Sequence, residues 1–237
     1  MKKPGTARNL HGHVVQELGQ RIVGGKVKPG EVFPPEETLA GSLRVSRTAL
    51  REALKVLSAK GLIESRSGVG ARVMEEQHWN QLDPDVLAWR CASMPTDDFI
   101  HKLVQMRKII EPAAAAAAAS HRSAEQLASI EAALGLMEAS STLDEWADAD
   151  LKFHDAVLHA TGNELLWSLF TVIETALGTF FVLSARTAAN FKYSLPYHQQ
   201  VFHAIRDADA KAASDAMLAM IADSEKNLHP QAVASTA

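Results

Sequence analysis

From residue 97 onward the chain keeps its apolar residues at the helical period, which points to a packing made of helices alone. The repeat runs through "DDFIHKLVQMRKIIEPAAAAAAAS", "SAEQLASIEAALGLMEAS", "TLDEWADADLKFHDAVLHAT", "NELLWSLFTVIETALGTFFVLSART", "LPYHQQVFHAIRDAD" and "DAKAASDAMLAMIADSEKNL". Gly, Asn, Pro or Ser marks the breaks, and nothing alternates convincingly as strand. Six or seven antiparallel helices with short connections form a bundle, whose ligand or metal sites lie inside, on facing helices. The alanine run Ala113–Ala119 offers small side chains for close helix neighbours, with Pro112 placed to kink its helix.

The N-terminal part follows a different pattern. "VVQELGQRIVGG" sets Val14, Val15, Leu18, Ile22 and Val23 along one helical stripe, which Gly24 and Gly25 stop. After the turn "KPGEVFP", a short helix is expected from about Pro35 to Leu43, and a longer one over "VSRTALREALKVLSAKGLI" with Ser46 as its N-cap. Leu50, Ala53, Leu54 and Leu57 make the buried face of the longer helix, Arg47, Thr48 and Arg51 lie near its start on other sides, and Gly61 ends it. Strands are expected at Leu62–Ser65 and Ala71–Met74, joined by the loop Arg66–Gly70. Helix, helix, tight turn, helix and hairpin make a winged helix-turn-helix. Its recognition helix enters the major groove N-terminus first, carrying Ser46, Arg47, Thr48 and Arg51. An Arg can fork onto guanine O6 and N7 or clamp a phosphate, while hydroxyls suit phosphate oxygens. A solvated helix face is the plain alternative for Arg47 and Arg51.

Charge supports the functional reading. The net charge of -4 divides into 13 Lys/Arg against 6 Asp/Glu in residues 1–74 and 11 against 22 in the rest, a basic end for a polyanion beside an acidic body. The single cysteine, Cys91, excludes an internal disulfide framework and a thiolate-rich zinc site. The longest apolar stretch is too short and weakly hydrophobic to span a bilayer, and no signal sequence opens the chain, so a cytoplasmic protein with no membrane partner is expected. The fold class is therefore mainly α: a winged helix-turn-helix over 1–75, a linker over 76–95, and an all-α antiparallel bundle over 96–230 for effector binding and dimerisation.

The stretch "KPGEVFPPEETLAGSLRVSRTALREALKVLSAKGLIESRSGVGARV" resembles the DNA-binding domain of the GntR family of bacterial transcription regulators, over residues 10–74. The resemblance implies operator contacts by Arg47 and Arg51, with support from Ser46, Thr48 and the wing residues Ser67 and Gly68. Arg66 belongs to the same wing tip. Two positions depart from the pattern. Glu37 stands where some relatives carry a DNA-contacting Arg, and Arg44 replaces a frequent turn Gly, so that it either adds a phosphate contact or merely tolerates the turn.

In the acidic body, Asp150 and His154 are four apart on one helix, and His198 heads another segment whose Phe202 and Ile205 point the same way. One helix giving Asp and His and a second giving His can hold zinc or a similar divalent ion; the same spacing also serves a helical hydrogen bond or surface pair. His101, His121, His159, His203 and His229 lack such a pattern and are read as surface or structural residues. "DADLKFHDAVLHATGN" and "YHQQVFHAIRDADAKAASDAM" resemble the FCD effector domain of the FadR subfamily, in which an Asp and three His commonly bind a metal beside a small-molecule pocket. Asp150, His154 and His198 match three of these positions, and Met220 takes the usual fourth. A thioether is a poor partner for a hard divalent ion, which leaves three protein ligands plus water or effector.

"QHWNQLDPDVLAW", "FHDAVLHATGN" and "AMLAMIADS" further resemble regulators of sugar-acid catabolism within that subfamily, implying an aldonate such as galactonate as effector. Arg107 in "MRKIIEP" is then either the cation that forks onto the effector carboxylate or the i,i+4 ion partner of Glu111. Arg186 is a second candidate. The leading expectation is a homodimeric, ligand-responsive regulator, a repressor released from its double-stranded operator by its effector. The alternatives are a metal-dependent sugar-acid enzyme with a basic appendage, for which no nucleophile or separate general base stands out, and a regulator sensing another organic acid.

Overall fold

The computed structural model describes residues 7–66, 70–93, 97–184 and 191–228. The chain divides into two compact units, Met1–Pro95 and Thr96–Ala237.

The first unit is built from α1 (Ala7–Val23), α2 (Glu36–Leu43), α3 (Arg47–Ala59), a hairpin of β1 (Ile63–Arg66) and β2 (Gly70–Val73), and α4 (Pro84–Ala92). The strands pair antiparallel with Ile63 opposite Val73 and Arg66 opposite Gly70, one residue displaced from the expected bounds. The incoming segment joins them, Val32 bridging to Arg72. Val14, Leu18 and Ile22 of α1 meet Leu50, Ala53, Leu54 and Leu57 of α3 in one core. Ser46 caps α3 as its spacing predicts, the hydroxyl accepting the Ala49 N–H at 3.1 Å. Past the end of α3, Gly61 takes a φ of 75°, and a Cβ there would stand 2.1 Å from the His78 carbonyl oxygen. Only glycine meets both demands.

Residues 76–95, expected as a linker, are not a plain connection. Asp83 caps α4 through the N–H groups of Asp85 and Val86, Pro84 opens it, and Val86, Leu87 and Trp89 are buried. Lys60 Nζ, at the end of α3, lies 2.8 Å from both Asp83 and Asp85. Trp89 lies against α1, its indole N–H donating to Gln16 Oε1 at 2.8 Å. The seat requires Gly19, where a Cβ would come within 2.3 Å of the indole ring. Gly19→Ala should therefore destabilise the protein by about 1–2 kcal/mol by overpacking, although the same change in an open helix would gain roughly 1 kcal/mol in propensity. Thermal denaturation measures the sign; a raised melting temperature would mean that α4 leaves α1 without cost.

The second unit contains α5 (Asp97–His121), α6 (Ala124–Ala139), α7 (Leu143–His159), the short α8 (Glu164–Trp167), α9 (Phe170–Ser184), α10 (Leu195–Arg206) and α11 (Ala210–Leu228), with no strand among the described residues. Capping boxes start α6 at Ser123 with Gln126 and α7 at Thr142 with Glu145. Helix α5 runs through Pro112 from Asp97 to His121. Its buried stripe, Arg107, Glu111, Ala114, Ala115, Ala118 and Ala119, has small side chains toward one end and a charged pair toward the other. The alanines allow α11 to pack closely along α5. Phe153 and Val157 of α7, Val201 and Ile205 of α10, and Met217, Met220 and Ile221 of α11 fill the core. No helix among the described residues is long and apolar enough to cross a membrane.

Candidate functional site

Two sets of side chains carry chemistry, one in each unit. In the first unit, Ser46, Arg47, Thr48 and Arg51 are all exposed around the start of α3. The Ser46 oxygen accepts within its own helix, which leaves its O–H free to donate. Arg44 closes α2 in the left-handed conformation, φ 55° and ψ 41°, and is exposed. It occupies a backbone position that glycine fills at no steric cost and other residues at roughly 1–2 kcal/mol. Both α3 arginines have acidic partners on α2: Arg51 Nε lies 2.6 Å from Glu36 Oε2, and Arg47 Nη2 lies 3.5 Å from Glu37 Oε2. Ser67 and Gly68, the Arg66 side chain and Arg186 lie outside the described residues, as does His229.

In the second unit, Asp150 and His154 of α7 and His198 of α10 are brought together, each at least 96% buried. One ligand atom from each lies within 4.8 Å of the others. His198 Nε2 is 3.0 Å from Asp150 Oδ1, and His154 Nε2 is 3.8 Å from Asp150 Oδ2. Even so, Asp150 Oδ2, His198 Nε2 and His154 Nδ1 are buried without an aligned hydrogen-bond partner. Natural interiors rarely leave such atoms unmatched unless an ion or water completes them.

The outer nitrogen of each imidazole faces an oxygen of the protein. His198 Nδ1 is 2.9 Å from the Ser194 carbonyl oxygen, which accepts from it and leaves the Nε2 lone pair toward Asp150. His154 Nδ1 lies 2.5 Å from Glu111 Oε2 on α5, so that its Nε2 faces Asp150. A carboxylate or carbonyl behind a histidine is the usual support of a metal ligand. Glu111 also holds Arg107, with Nε 2.5 Å from Oε1. Of the two roles open to Arg107, the ion pair with Glu111 is the one present, and it is a buried pair rather than a surface one.

The electrostatics follow from this packing. Burial would raise the Glu111 carboxyl, but Arg107 and His154 outweigh it and hold it down to about 2. Burial likewise opposes ionisation of Asp150, and the His198 and His154 imidazoles with Arg107 keep its carboxyl below the usual range. Phe153 and Trp146 pack T-shaped against His198, with 5.0 and 6.1 Å between centroids, forming an apolar wall. Two oriented imidazoles and an ionised carboxylate with open valences fit a borderline divalent cation such as zinc. Met220 is buried in the same unit, in the apolar core with Met217 and Ile221.

Three contacts escaped the sequence reading: the carboxylate of Glu111 on His154, that of Glu36 on Arg51 and that of Glu37 on Arg47. Each joins residues on different helices, where no spacing along the chain could reveal it.

Comparison with known proteins matches a family to a stretch of each unit. Residues 10–73 match the family of bacterial regulatory proteins described as gntR, and residues 102–223 match the FCD domain. The chain is 36% identical over 222 residues to the galactonate operon transcriptional repressor of Escherichia coli (strain K12), covering 93% of this chain and 97% of that protein. It is 34% identical over 174 residues to the Uxu operon transcriptional regulator of the same organism, covering 72% and 65%. Among solved structures, the Listeria monocytogenes protein Lar shares the fold with a TM-score of 0.67 at 19% identity, covering 98% of this chain and all of that one. The alternative of a metal-dependent enzyme is thereby set aside. With a helix-turn-helix at its N-terminal end and an FCD domain behind it, the chain belongs to the GntR family of bacterial transcription regulators and is a ligand-responsive DNA-binding regulator, not an enzyme.

Proposed function

We propose that this regulator is a repressor of sugar-acid catabolism genes, released from its operator by an aldonate such as galactonate. The observation that carries the reading is the match, along nearly the whole of both chains, to a protein named as a galactonate operon repressor. The buried Asp150, His154 and His198 group supports an effector site inside the FCD domain. These three residues would hold a divalent ion, zinc being the candidate, with Met220 leaving the fourth position to water or effector. A bound ion supplies a Lewis-acidic point for a carboxylate and a neighbouring hydroxyl. Arg107 and Glu111 stand behind His154 and set the charge of the site, and Arg186 is a further candidate for the effector carboxylate.

On DNA, Arg47 and Arg51 read bases, Ser46, Thr48 and Arg44 hold phosphates, and Arg66, Ser67 and Gly68 form the wing contact. The protein acts as a cytoplasmic homodimer, since paired recognition helices suit a two-fold operator. Residues 1–75 serve as the DNA-binding part and 96–230 as the effector and dimerisation part, with α4 between them. Effector binding shifts the dimer away from the spacing that DNA requires, by no more than its differential affinity for the two arrangements.

A thermal-shift panel of aldonates, uronates, 2-hydroxy acids and acyl thioesters, with zinc present or chelated, tests this reading. The effector at 100 times its dissociation constant should add about 2.7 kcal/mol of stability. That gain should vanish in His154→Ala, whose DNA affinity without ligand is unchanged. The same compound should release a retarded promoter fragment without being consumed. A response confined to another acid class would overturn the sugar-acid assignment.

A further inference from the structure

We propose that Glu36 is a specificity-determining positioning residue, which aims Arg51 at a base and discourages it from settling on the phosphate backbone. The inference rests on the reading of Arg51 as a base contact.

The two arginine–glutamate pairs are not equivalent. Arg47 Nη2 stands 3.5 Å from Glu37, with the side chains 61% and 79% exposed. So long and wet a pair contributes little and yields readily to DNA. The Arg51–Glu36 contact is short, 2.6 Å, and uses a particular atom; Arg51 is 64% exposed, much like Arg47, but Glu36 only 40%. A guanidinium presents five N–H donors in a planar fork. With Nε bound to the carboxylate, the end formed by Nη1 and Nη2 remains for a second partner. That end can still donate both bonds to guanine O6 and N7. Glu36 therefore takes up a donor that base reading can spare and fixes the plane of those it needs. The arginine stem then loses less freedom when it docks.

The carboxylate also acts through its charge. It stands beside a cation that would otherwise be free to follow phosphates, so sequence-independent binding is weakened by a nearby negative charge. A base contact already aimed by the pair gives up less than a phosphate contact made by an arginine that must leave it. The expected result is a lower affinity for all duplexes together with a larger gap between operator and random DNA.

The test uses the full-length protein, a duplex selected by the wild type from a random pool, and an unselected duplex of equal length, compared by anisotropy at one salt concentration. Glu36→Gln should bind the unselected duplex more tightly and the selected one more weakly. The ratio of the two affinities should fall roughly tenfold, within the range that one bidentate base contact discriminates. The salt dependence of its binding to the unselected duplex should steepen by about 0.9 in log–log slope per protomer, as one more phosphate is neutralised. Glu36→Asp keeps the charge and shortens the reach, so the ratio should fall while binding to the unselected duplex stays at the wild-type level.

Arg51→Ala should lower the ratio by itself, and adding Glu36→Gln to it should change the ratio no further. If Arg51→Ala lowers the ratio and Glu36→Gln leaves it untouched, Glu36 has no positioning role. If Glu36→Gln weakens both duplexes equally, it supports only the α2 fold. If Arg51→Ala keeps the full ratio, the base-contact reading of Arg51 fails first, and the role of Glu36 fails with it.

Discussion

Replacing Glu111 by glutamine should destabilise the second unit strongly, costing about 3–5 kcal/mol. Glutamine keeps the shape but removes the charge, leaving Arg107, only 3% exposed, with no carboxylate against it and only the weaker pull of Asp150. Urea denaturation at neutral pH measures the loss. The double replacement Arg107→Met with Glu111→Leu should regain most of it, because removing both buried charges together is often neutral. That variant should fold and yet bind a divalent ion roughly 10–100-fold more weakly, since His154 has lost the carboxylate that orients it. Ion binding unchanged in the double variant would remove Glu111 from the support of the site.

The acid range gives an independent check. The Glu111 carboxyl is held down to about 2 in the folded protein, against an ordinary value of 4.5. A lowered folded value contributes stability above the unfolded one, here on the order of 3 kcal/mol, and loses it as the pH falls toward the folded value. The gap between wild type and Glu111→Gln should therefore be full above about pH 5 and shrink steadily as the pH is lowered toward 2. A gap constant over that window would place its cause in packing rather than in charge.

What could be read from the sequence follows the reach of each interaction. The buried face of α3, its Ser46 cap, the Gly61 stop and the hairpin depend on neighbours a few residues away, and periodicity and turn chemistry reveal them. Asp150 with His154 is legible for the same reason, and His198 because Phe202 and Ile205 share its buried face. Helix α4 is harder to see: only nine residues long, it earns its place by Trp89 filling the space above Gly19, seventy positions earlier in the chain. Glu111 was visible as a partner for Arg107 at i,i+4, but its second contact crosses from α5 to α7. The carboxylates of α2 on the arginines of α3 are hidden in the same way, for the turn at Arg44 decides which side chains meet. Local rules locate the elements, and only tertiary packing tells which charges they share.

Arg47→Ala should abolish specific retardation of the operator while leaving effector and metal binding intact, since Arg47 belongs to the first unit and the Asp150 group to the second. A good bidentate base contact discriminates by about 1–3 kcal/mol, and the proposed symmetric dimer would make it twice, so a loss of roughly 2–6 kcal/mol is expected. Binding to random duplex should fall far less, because one charge per protomer is a small part of the phosphate attraction. Arg47→Lys separates the two possible contacts. Lysine keeps the charge but has no planar fork, so it should bind random duplex like the wild type and still fail on the operator. The pair with Glu37 will not mask the result, since at 3.5 Å and largely exposed it holds the arginine only weakly. Operator affinity retained by Arg47→Lys would make this residue a phosphate clamp and shift the reading of sequence to Arg51 and the wing.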